Sequence, residues 1–169
     1  MCLLLITALG GFLFFNYPFG KVFLGDAGAC SIGQLLAWIG IAIMFLASEV
    51  SFAAVLLVFF WPVADTVLAI YRRRRSGRPS DQPDRLHFHQ LAMRALEIGF
   101  IGKHRREIAN PMATAIIMPM IAAPQIAGVM LSSSNGLVFA AFGVFSVLFF
   151  VAYVSGVRWE RRNVGRYYR

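Results

Sequence analysis

LVFAAFGVFSVLFFVAYVSGV, residues 137–157, is an apolar run without a single charged side chain. At 1.5 Å of rise per residue, a helix of this length crosses about 30 Å of hydrocarbon. The run therefore predicts a membrane-spanning helix. The composition agrees, because 59% of the 169 residues are hydrophobic and 14% are charged. A water-soluble domain of this size has too little interior to bury so much apolar surface.

Four further apolar runs precede this one. They occupy residues 2–15, 32–48, 50–71 and 112–131. The first is short, and we interpret it as the end of a helix that begins earlier, in a longer protein of which this chain is the C-terminal portion. We expect an all-α, polytopic transmembrane protein with about five membrane segments, the first of them truncated. Residues 1–169 would form one membrane domain, with a cytoplasmic loop at 72–110 and a basic tail at 158–169.

The basic residues predict the orientation. If the five segments alternate across the membrane, all 16 lysines and arginines fall on one side, at Lys21, within 72–106 and within 158–169. The positive-inside rule makes that side cytoplasmic, so we expect a multi-pass protein of the bacterial inner (plasma) membrane with its chemistry on the cytoplasmic face. The run Arg72–Arg75 directly follows an apolar segment, which favours contact with membrane lipids over binding of nucleic acid.

Asp26 is a candidate site residue. It follows Gly25 and precedes Gly28, and glycines allow a backbone to approach a ligand closely. A carboxylate in this setting suits Mg²⁺, which often bridges a protein acid and substrate phosphates. Equally, Asp26 could cap a helix that begins near Ser31.

Asp65 is a second candidate, because an ionisable group within a span normally faces a cavity or a partner. Pro62 removes a backbone hydrogen bond and should kink the helix nearby. A kinked helix with a buried acid would form the wall of a pocket. The alternative is that Asp65 pairs with an arginine of the Arg72–Arg75 run for structural reasons only.

His87 and His89 are the third and fourth candidates. Asp84 is a plausible N-cap for a helix that starts at Arg85. At 100° per residue, one face of that helix is polar and the opposite face is apolar, which predicts an amphipathic helix on the membrane surface. The polar face, suited to phosphate, comprises His87, Gln90, Arg94 and Glu97. His-x-His is weak evidence alone, and solvated histidines on an ordinary interfacial helix are the alternative.

Three motifs together resemble the bacterial polyprenyl-phosphate sugar-1-phosphate transferases, or glycosyltransferase family 4. They are NYPFGKVFLGDAGA at 16–29, PVAD at 62–65 and YRRRRSGRPSDQPDRLHFHQ at 71–90. The branch most similar to them uses undecaprenyl phosphate and N-acetylglucosamine 1-phosphate. The resemblance implies transfer of a sugar 1-phosphate, an N-acetylhexosamine 1-phosphate by default, from a UDP-sugar to undecaprenyl phosphate. It also implies Mg²⁺, with Mn²⁺ as an alternative.

The resemblance assigns a role to each motif residue. Asp26 would bind Mg²⁺ and take part in catalysis, and His87 and His89 would contact substrate phosphates. The expected substrate-binding residues are Asn16, Lys21, Asp65, Arg85 and Gln90. Gln90 stands where the family has a third histidine, and it cannot carry a positive charge.

The resemblance also has a gap. The family's aspartate-rich motif, with two adjacent acids, has no match in these residues, and we expect the chain alone not to catalyse transfer. A non-catalytic membrane subunit or a degenerate remnant of such a transferase is the alternative, and a transporter is a weaker third interpretation. The sugar, the glycan pathway and the oligomeric state stay open, with a homodimer as one option.

Overall fold

The described part of the chain is mostly helical. The computed structural model describes residues 2–18, 20–76, 87–102 and 105–167, and none of these residues forms a strand. They form seven α-helices and one π-helix in the order α1 (Cys2–Asn16), α2 (Gly25–Leu46), α3 (Phe52–Val58), α4 (Phe60–Ser76), α5 (Phe88–Leu96), the π-helix (Glu97–Ile101), α6 (Arg106–Met130) and α7 (Asn135–Tyr167). The prediction of an all-α fold is confirmed.

Among the residues that the structure describes, three helices are long and apolar enough to cross a membrane, namely α2, α6 and the part of α7 up to Asn163. Helices α3 and α4 together form a fourth candidate span, and α1 is a shorter apolar helix of 15 residues. The expectation of a polytopic membrane protein is therefore confirmed.

The third apolar run is two helices rather than one. Helices α3 and α4 meet at a bend of 75° around Phe59. Pro62 lies in the first turn of α4, where its missing N–H leaves the carbonyl of Val58 without an α-helical partner. The kink predicted near Pro62 is confirmed, and it divides the span completely.

The chain separates into two compact units, residues 1–43 and 44–169. The first unit contains α1 and most of α2. Helix α2 begins at Gly25, ahead of the apolar run at 32–48, and Gly25 has a positive φ of 69°. That conformation is open to glycine at little cost.

The second unit has a core of apolar residues from α3, α4, α5, α6 and α7. Its innermost members include Leu57 and Val138, which are fully buried. Gly128 of α6 brings this helix against the backbone of α3, because a Cβ at this glycine would lie 2.9 Å from the carbonyl oxygen of Ala54. The close approach of α3 and α6 therefore depends on the missing side chain.

The connections at one end of this unit carry no basic residue. The backbone N–H of Ser51, before α3, donates to the carbonyl of Ser132, after α6, at 2.9 Å. The two connections that the charge pattern assigned to the same side of the membrane, around Glu49 and at 132–135, are therefore neighbours.

Candidate functional site

Helix α5 starts inside an aromatic cluster. The Phe88 ring, 9% exposed, packs edge-on against Trp61 of α4 at 4.9 Å and stacks on Phe149 of α7 at 5.6 Å. Trp61 and Phe149 also contact each other, at 5.1 Å between centroids. Because aromatic pairs have preferred geometries and bury large areas, this cluster holds the first residue of α5 between two membrane helices.

The carboxylate of Asp65 lies directly beside this cluster. Its Oδ2 is 2.8 Å from Nδ1 of His87, and its Oδ1 accepts the backbone N–H of Phe88 at 3.3 Å. The side chains of Asp65 and His87 are 22% and 38% exposed. The structure thus brings together two of the predicted site residues, although 22 positions separate them in the chain.

Asp65 caps α5 from a neighbouring helix. His87 occupies the N-cap position, with φ −62° and ψ 147°, but its own side chain makes no capping hydrogen bond. The first N–H groups of a helix have no partner within the helix, and a side-chain oxygen usually accepts them. Asp65 of α4 supplies that oxygen, and its negative charge also suits the positive end of the helix dipole.

One expectation about this region is wrong, because helix α5 begins at Phe88 and not at Arg85. The alternative interpretation of Asp65, pairing with an arginine of the Arg72–Arg75 run, is not observed among the described residues, where Asp65 pairs with His87. The expected cap Asp84 and the expected substrate-binding residue Arg85 lie outside the described residues.

Part of the polar face predicted for α5 pairs with neighbouring helices. Arg94 donates to Glu160 of α7 at 2.7 Å. Glu97 is 2% exposed and pairs with Arg106, and Oε1 of Gln90 is buried without a hydrogen-bond partner among the described residues. Helical periodicity identified the polar positions correctly but could not predict that α6 and α7 pack around α5. Arg94 and Glu97 are therefore paired within the fold, whereas His87 keeps 38% of its side chain exposed.

The apolar face of α5 packs against the protein, and the expectation that this helix lies on the membrane surface stays a prediction. Phe88 and Leu91 belong to the core. A cavity of about 560 Å³ lies between this helix, the π-helix, α6 and α7, with Met120, Gly156 and Trp159 among its lining residues.

The two histidines have different surroundings. His89 is exposed and makes no hydrogen bond or ion pair within the described part of the chain, whereas His87 is half-buried and bonded to Asp65. The spacing His-x-His therefore places one histidine in a fixed position and leaves the other in contact with solvent.

Three predicted site residues lie in the first unit. Asn16 is the last residue of α1, Lys21 lies in the connection that follows, and Asp26 is exposed in the first turn of α2. Asp26 therefore does not cap a helix that begins near Ser31. The expectation that Asp26 lies near His87 and His89 stays a prediction.

Asp26 offers a single carboxylate to a cation. No group of three or more histidine, cysteine, aspartate or glutamate side chains converges within the described ranges. An exposed carboxylate fits Mg²⁺ in the way that this ion is often held, by one or two protein acids together with substrate phosphates.

Sequence reasoning missed the contacts between the end of α4 and α7. Arg72 donates from Nη1 to the hydroxyl of Tyr153 at 2.6 Å, and its guanidinium carbon lies 5.2 Å from the centre of that ring. The segment at 158–169, expected to be a separate basic tail, continues helix α7 as far as Tyr167 and packs Trp159 beside Gly99. Only the apolar and basic character of these positions was evident beforehand.

Comparison with known proteins adds to this geometry. Residues 1–44 match the family described as glycosyl transferase family 4. Decaprenyl-phosphate N-acetylglucosaminephosphotransferase of Mycobacterium tuberculosis is 36% identical over 110 residues, which cover 58% of this chain and 26% of the relative. Undecaprenyl-phosphate alpha-N-acetylglucosaminyl 1-phosphate transferase of Haemophilus influenzae is 38% identical over 101 residues, which cover 54% of this chain and 27% of the relative.

A more distant relative points the same way. Probable undecaprenyl-phosphate N-acetylglucosaminyl 1-phosphate transferase of Bacillus subtilis is 29% identical over 94 residues, 55% of this chain and 26% of the relative. No solved structure matches the chain. The chain spans about a quarter of the length of the curated relatives that it matches. The resemblance to glycosyl transferase family 4 is thereby confirmed, by the family model over residues 1–44 and by these relatives over more than half of the chain.

Proposed function

We propose that this chain supplies part of a membrane transferase that moves an N-acetylhexosamine 1-phosphate from a UDP-sugar to undecaprenyl phosphate. The observation that carries the proposal is the 36–38% identity, over more than half of the chain, to transferases named for N-acetylglucosamine phosphate and a polyprenyl phosphate. Such a reaction starts a lipid-linked surface glycan. The polytopic helices and the one-sided basic residues support a site on the cytoplasmic face of the inner membrane.

The proposed reaction is a phosphoryl transfer. An oxygen of the lipid phosphate forms a bond to the sugar-linked phosphorus of the UDP-sugar. The bond between that phosphorus and the bridging oxygen breaks, and the bridging oxygen leaves with UMP. The acceptor and the donor are both anionic, so catalysis consists mainly of positioning and of charge neutralisation.

The residues of this chain divide that work. Asp26 would hold Mg²⁺, which when bound neutralises phosphate charge. Asn16 and Lys21 would help to hold the nucleotide. His87, fixed at the start of α5, and the exposed His89, two residues further along the chain, would donate hydrogen bonds to substrate phosphates. Arg85 would add positive charge.

The test joins this chain to the portion of the Haemophilus influenzae relative that it does not span. Membranes that contain the fusion receive UDP-[³H]N-acetylglucosamine, undecaprenyl phosphate and Mg²⁺, and both labelled lipid and released UMP are measured. We expect transfer, and we expect Asp26→Asn to lower it by at least about 100-fold. Glu107→Gln, which changes an exposed acid in the first turn of α6, should leave transfer unchanged. A folded fusion that transfers nothing, while the complete relative is active, would contradict the proposal.

A non-catalytic membrane subunit is the second candidate function. The observation that favours it is that both oxygens of Asp65 bond within the fold and that the Gln90 amide oxygen is enclosed, as in a purely structural contact. In that case the fusion would still assemble in membranes, but neither Asp26→Asn nor His87→Ala would change transfer by a partner enzyme. The full chain should also then show no metal-dependent binding of a UDP-sugar.

A further inference from the structure

We propose that Asp65 is a positioning residue and not a substrate ligand. From α4 it caps α5 and keeps the hydrogen of the neutral His87 ring on Nδ1, so that Nε2 is the nitrogen left for another partner. That this partner is a substrate phosphate rests on the proposed function, whereas the capping and the choice of nitrogen do not.

The two oxygens of the Asp65 carboxylate have different partners. Oδ1 accepts a hydrogen bond from the backbone N–H of Phe88, a group that can only donate. Oδ2 faces Nδ1 of His87 at 2.8 Å, and an ionised carboxylate only accepts hydrogen bonds. When Asp65 is ionised, Nδ1 therefore carries the hydrogen.

The packing around the pair keeps this geometry in place. Phe88 follows His87 directly, and its ring packs between Trp61 and Phe149. This packing holds the backbone at His87 in position beside α4. The side chain of His87 is 38% exposed, so part of the ring can be reached from outside the fold. His89 has no comparable partner in the described structure and is exposed.

This arrangement has a consequence for phosphate binding. A doubly protonated imidazole donates from both nitrogens. His87 can then hold Asp65 through Nδ1 and a phosphate oxygen through Nε2 at the same time, with its ring direction already set. Asp65 would thus act on the substrate only through His87.

The substitution Asp65→Asn tests the assignment because its amide has one acceptor and one donor. The acceptor must still meet the N–H of Phe88, so the new NH₂ group faces Nδ1 of His87. We expect the neutral imidazole to move its hydrogen to Nε2. The readout is the ¹⁵N spectrum of histidine-labelled full chain in lipid nanodiscs at alkaline pH. The chain has three histidines, at 87, 89 and 104, and single His→Gln variants assign them.

The expected result is the Nδ1–H form of His87 in the wild-type chain and the Nε2–H form in Asp65→Asn, with no change at His89. An unchanged form of His87 in Asp65→Asn would overturn the proposal. If that variant does not fold, the wild-type spectrum decides, since a neutral His87 with its hydrogen on Nε2 also overturns the proposal.

The transferase assay separates this inference from the proposed function. If the fusion is active, Asp65→Asn should lower kcat/KM by about 10- to 100-fold, the range found for carboxylates that orient a histidine ligand. A change of form at His87 without any transferase activity would support the positioning role and contradict the function. Full activity of the variant with an altered His87 would contradict the role in catalysis.

Discussion

Some polar side chains in the second unit hold neighbouring helices together. Asp65 is an expensive group within a membrane helix, and its two hydrogen bonds explain why it is tolerated there. Arg72 similarly bonds the hydroxyl of Tyr153 and lies over its ring. Both pairs connect α4 to another helix. Each can be tested by a substitution that removes one polar group.

The Arg72–Tyr153 contact should contribute measurably to stability. Tyr153→Phe removes the hydroxyl from a residue that is 7% exposed and keeps the ring, so we expect a loss of about 1–2 kcal/mol in the free energy of unfolding. Tyr71→Phe removes a hydroxyl that accepts from Arg75 at 3.1 Å on the surface, and it should cost less than about 0.5 kcal/mol. Chemical unfolding in detergent micelles, followed by circular dichroism, measures both. Equal losses of stability in the two variants would contradict the expectation that the buried hydroxyl contributes more than the exposed one.

The start of α2 should require glycine at position 25. With φ at 69°, a Cβ is strained there, and Gly25→Ala should destabilise the helix start by about 1–2 kcal/mol. Gly33→Ala, inside α2 with nothing within 4 Å of the added carbon, should be neutral or stabilising. Hydrogen exchange of the amides at the start of α2 compares the two variants, and faster exchange in Gly33→Ala than in Gly25→Ala would contradict this expectation.

At the scale of elements, α3 and α5 are short helices held by their neighbours. Helix α3 has seven residues and α5 has nine, too few to be stable alone in water. Helix α3 packs closely against α6, and α5 is held by its cap and by the aromatic cluster. Their positions therefore depend on a few contacts with longer helices.

The crossing of α3 and α6 should not tolerate a larger residue than glycine at 128. In Gly128→Ala the added carbon meets the backbone of Ala54 at 2.9 Å and the backbone nitrogen of Val58 at 3.3 Å, atoms that cannot move cheaply. We expect a loss of about 1–3 kcal/mol. Gly143→Ala in α7 meets nothing within 4 Å and should be neutral or slightly stabilising. Thermal unfolding in detergent compares the two variants. An equal loss of stability in both would contradict the close approach of α3 and α6.

Docking of α5 should depend on the Phe88 ring. Phe88→Ala removes the ring from between Trp61 and Phe149 and should cost about 3–5 kcal/mol. Phe100→Ala changes a side chain that is 86% exposed and should alter stability by less than about 0.5 kcal/mol. Limited proteolysis between α4 and α6 reports the docking. Cleavage of Phe88→Ala at the wild-type rate would show that the cluster does not hold α5.

At the scale of the molecule, the second unit has one end without basic residues and one end rich in them. The N–H of Ser51 joins the first pair of connections, and the pairs Arg72–Tyr153 and Arg94–Glu160 join the basic segments. This separation matches the positive-inside pattern. It predicts that the end rich in basic residues faces the cytoplasm and that the other end faces the opposite side of the membrane.

That orientation can be measured with single cysteines in a chain whose Cys2 and Cys30 have been replaced by serine. Glu49→Cys and Ser133→Cys should react with an impermeant maleimide in intact spheroplasts. Cys in place of His89 (His89→Cys), an exposed position of α5, should react only after the membrane is opened. Labelling of position 89 from outside, together with protection of 49 and 133, would reverse the proposed topology.

The residues alone determined the class of this protein. Apolar runs of helical length predict membrane helices wherever they occur, because lipid requires the backbone to satisfy its own hydrogen bonds. Pro62 likewise predicted a kink from its missing N–H. Both properties are local, and they can be read from consecutive residues without knowledge of any partner.

The tertiary structure decided which groups meet. The bonds of Asp65 with His87, of Arg94 with Glu160 and of Arg72 with Tyr153 join residues 22, 66 and 81 positions apart. Periodicity assigned the faces of α5 but not the helices that pack against them, and so it did not predict that Arg94 and Glu97 are paired with other helices. Contacts between distant segments arise from the packing of whole helices, and no spacing within one segment encodes them.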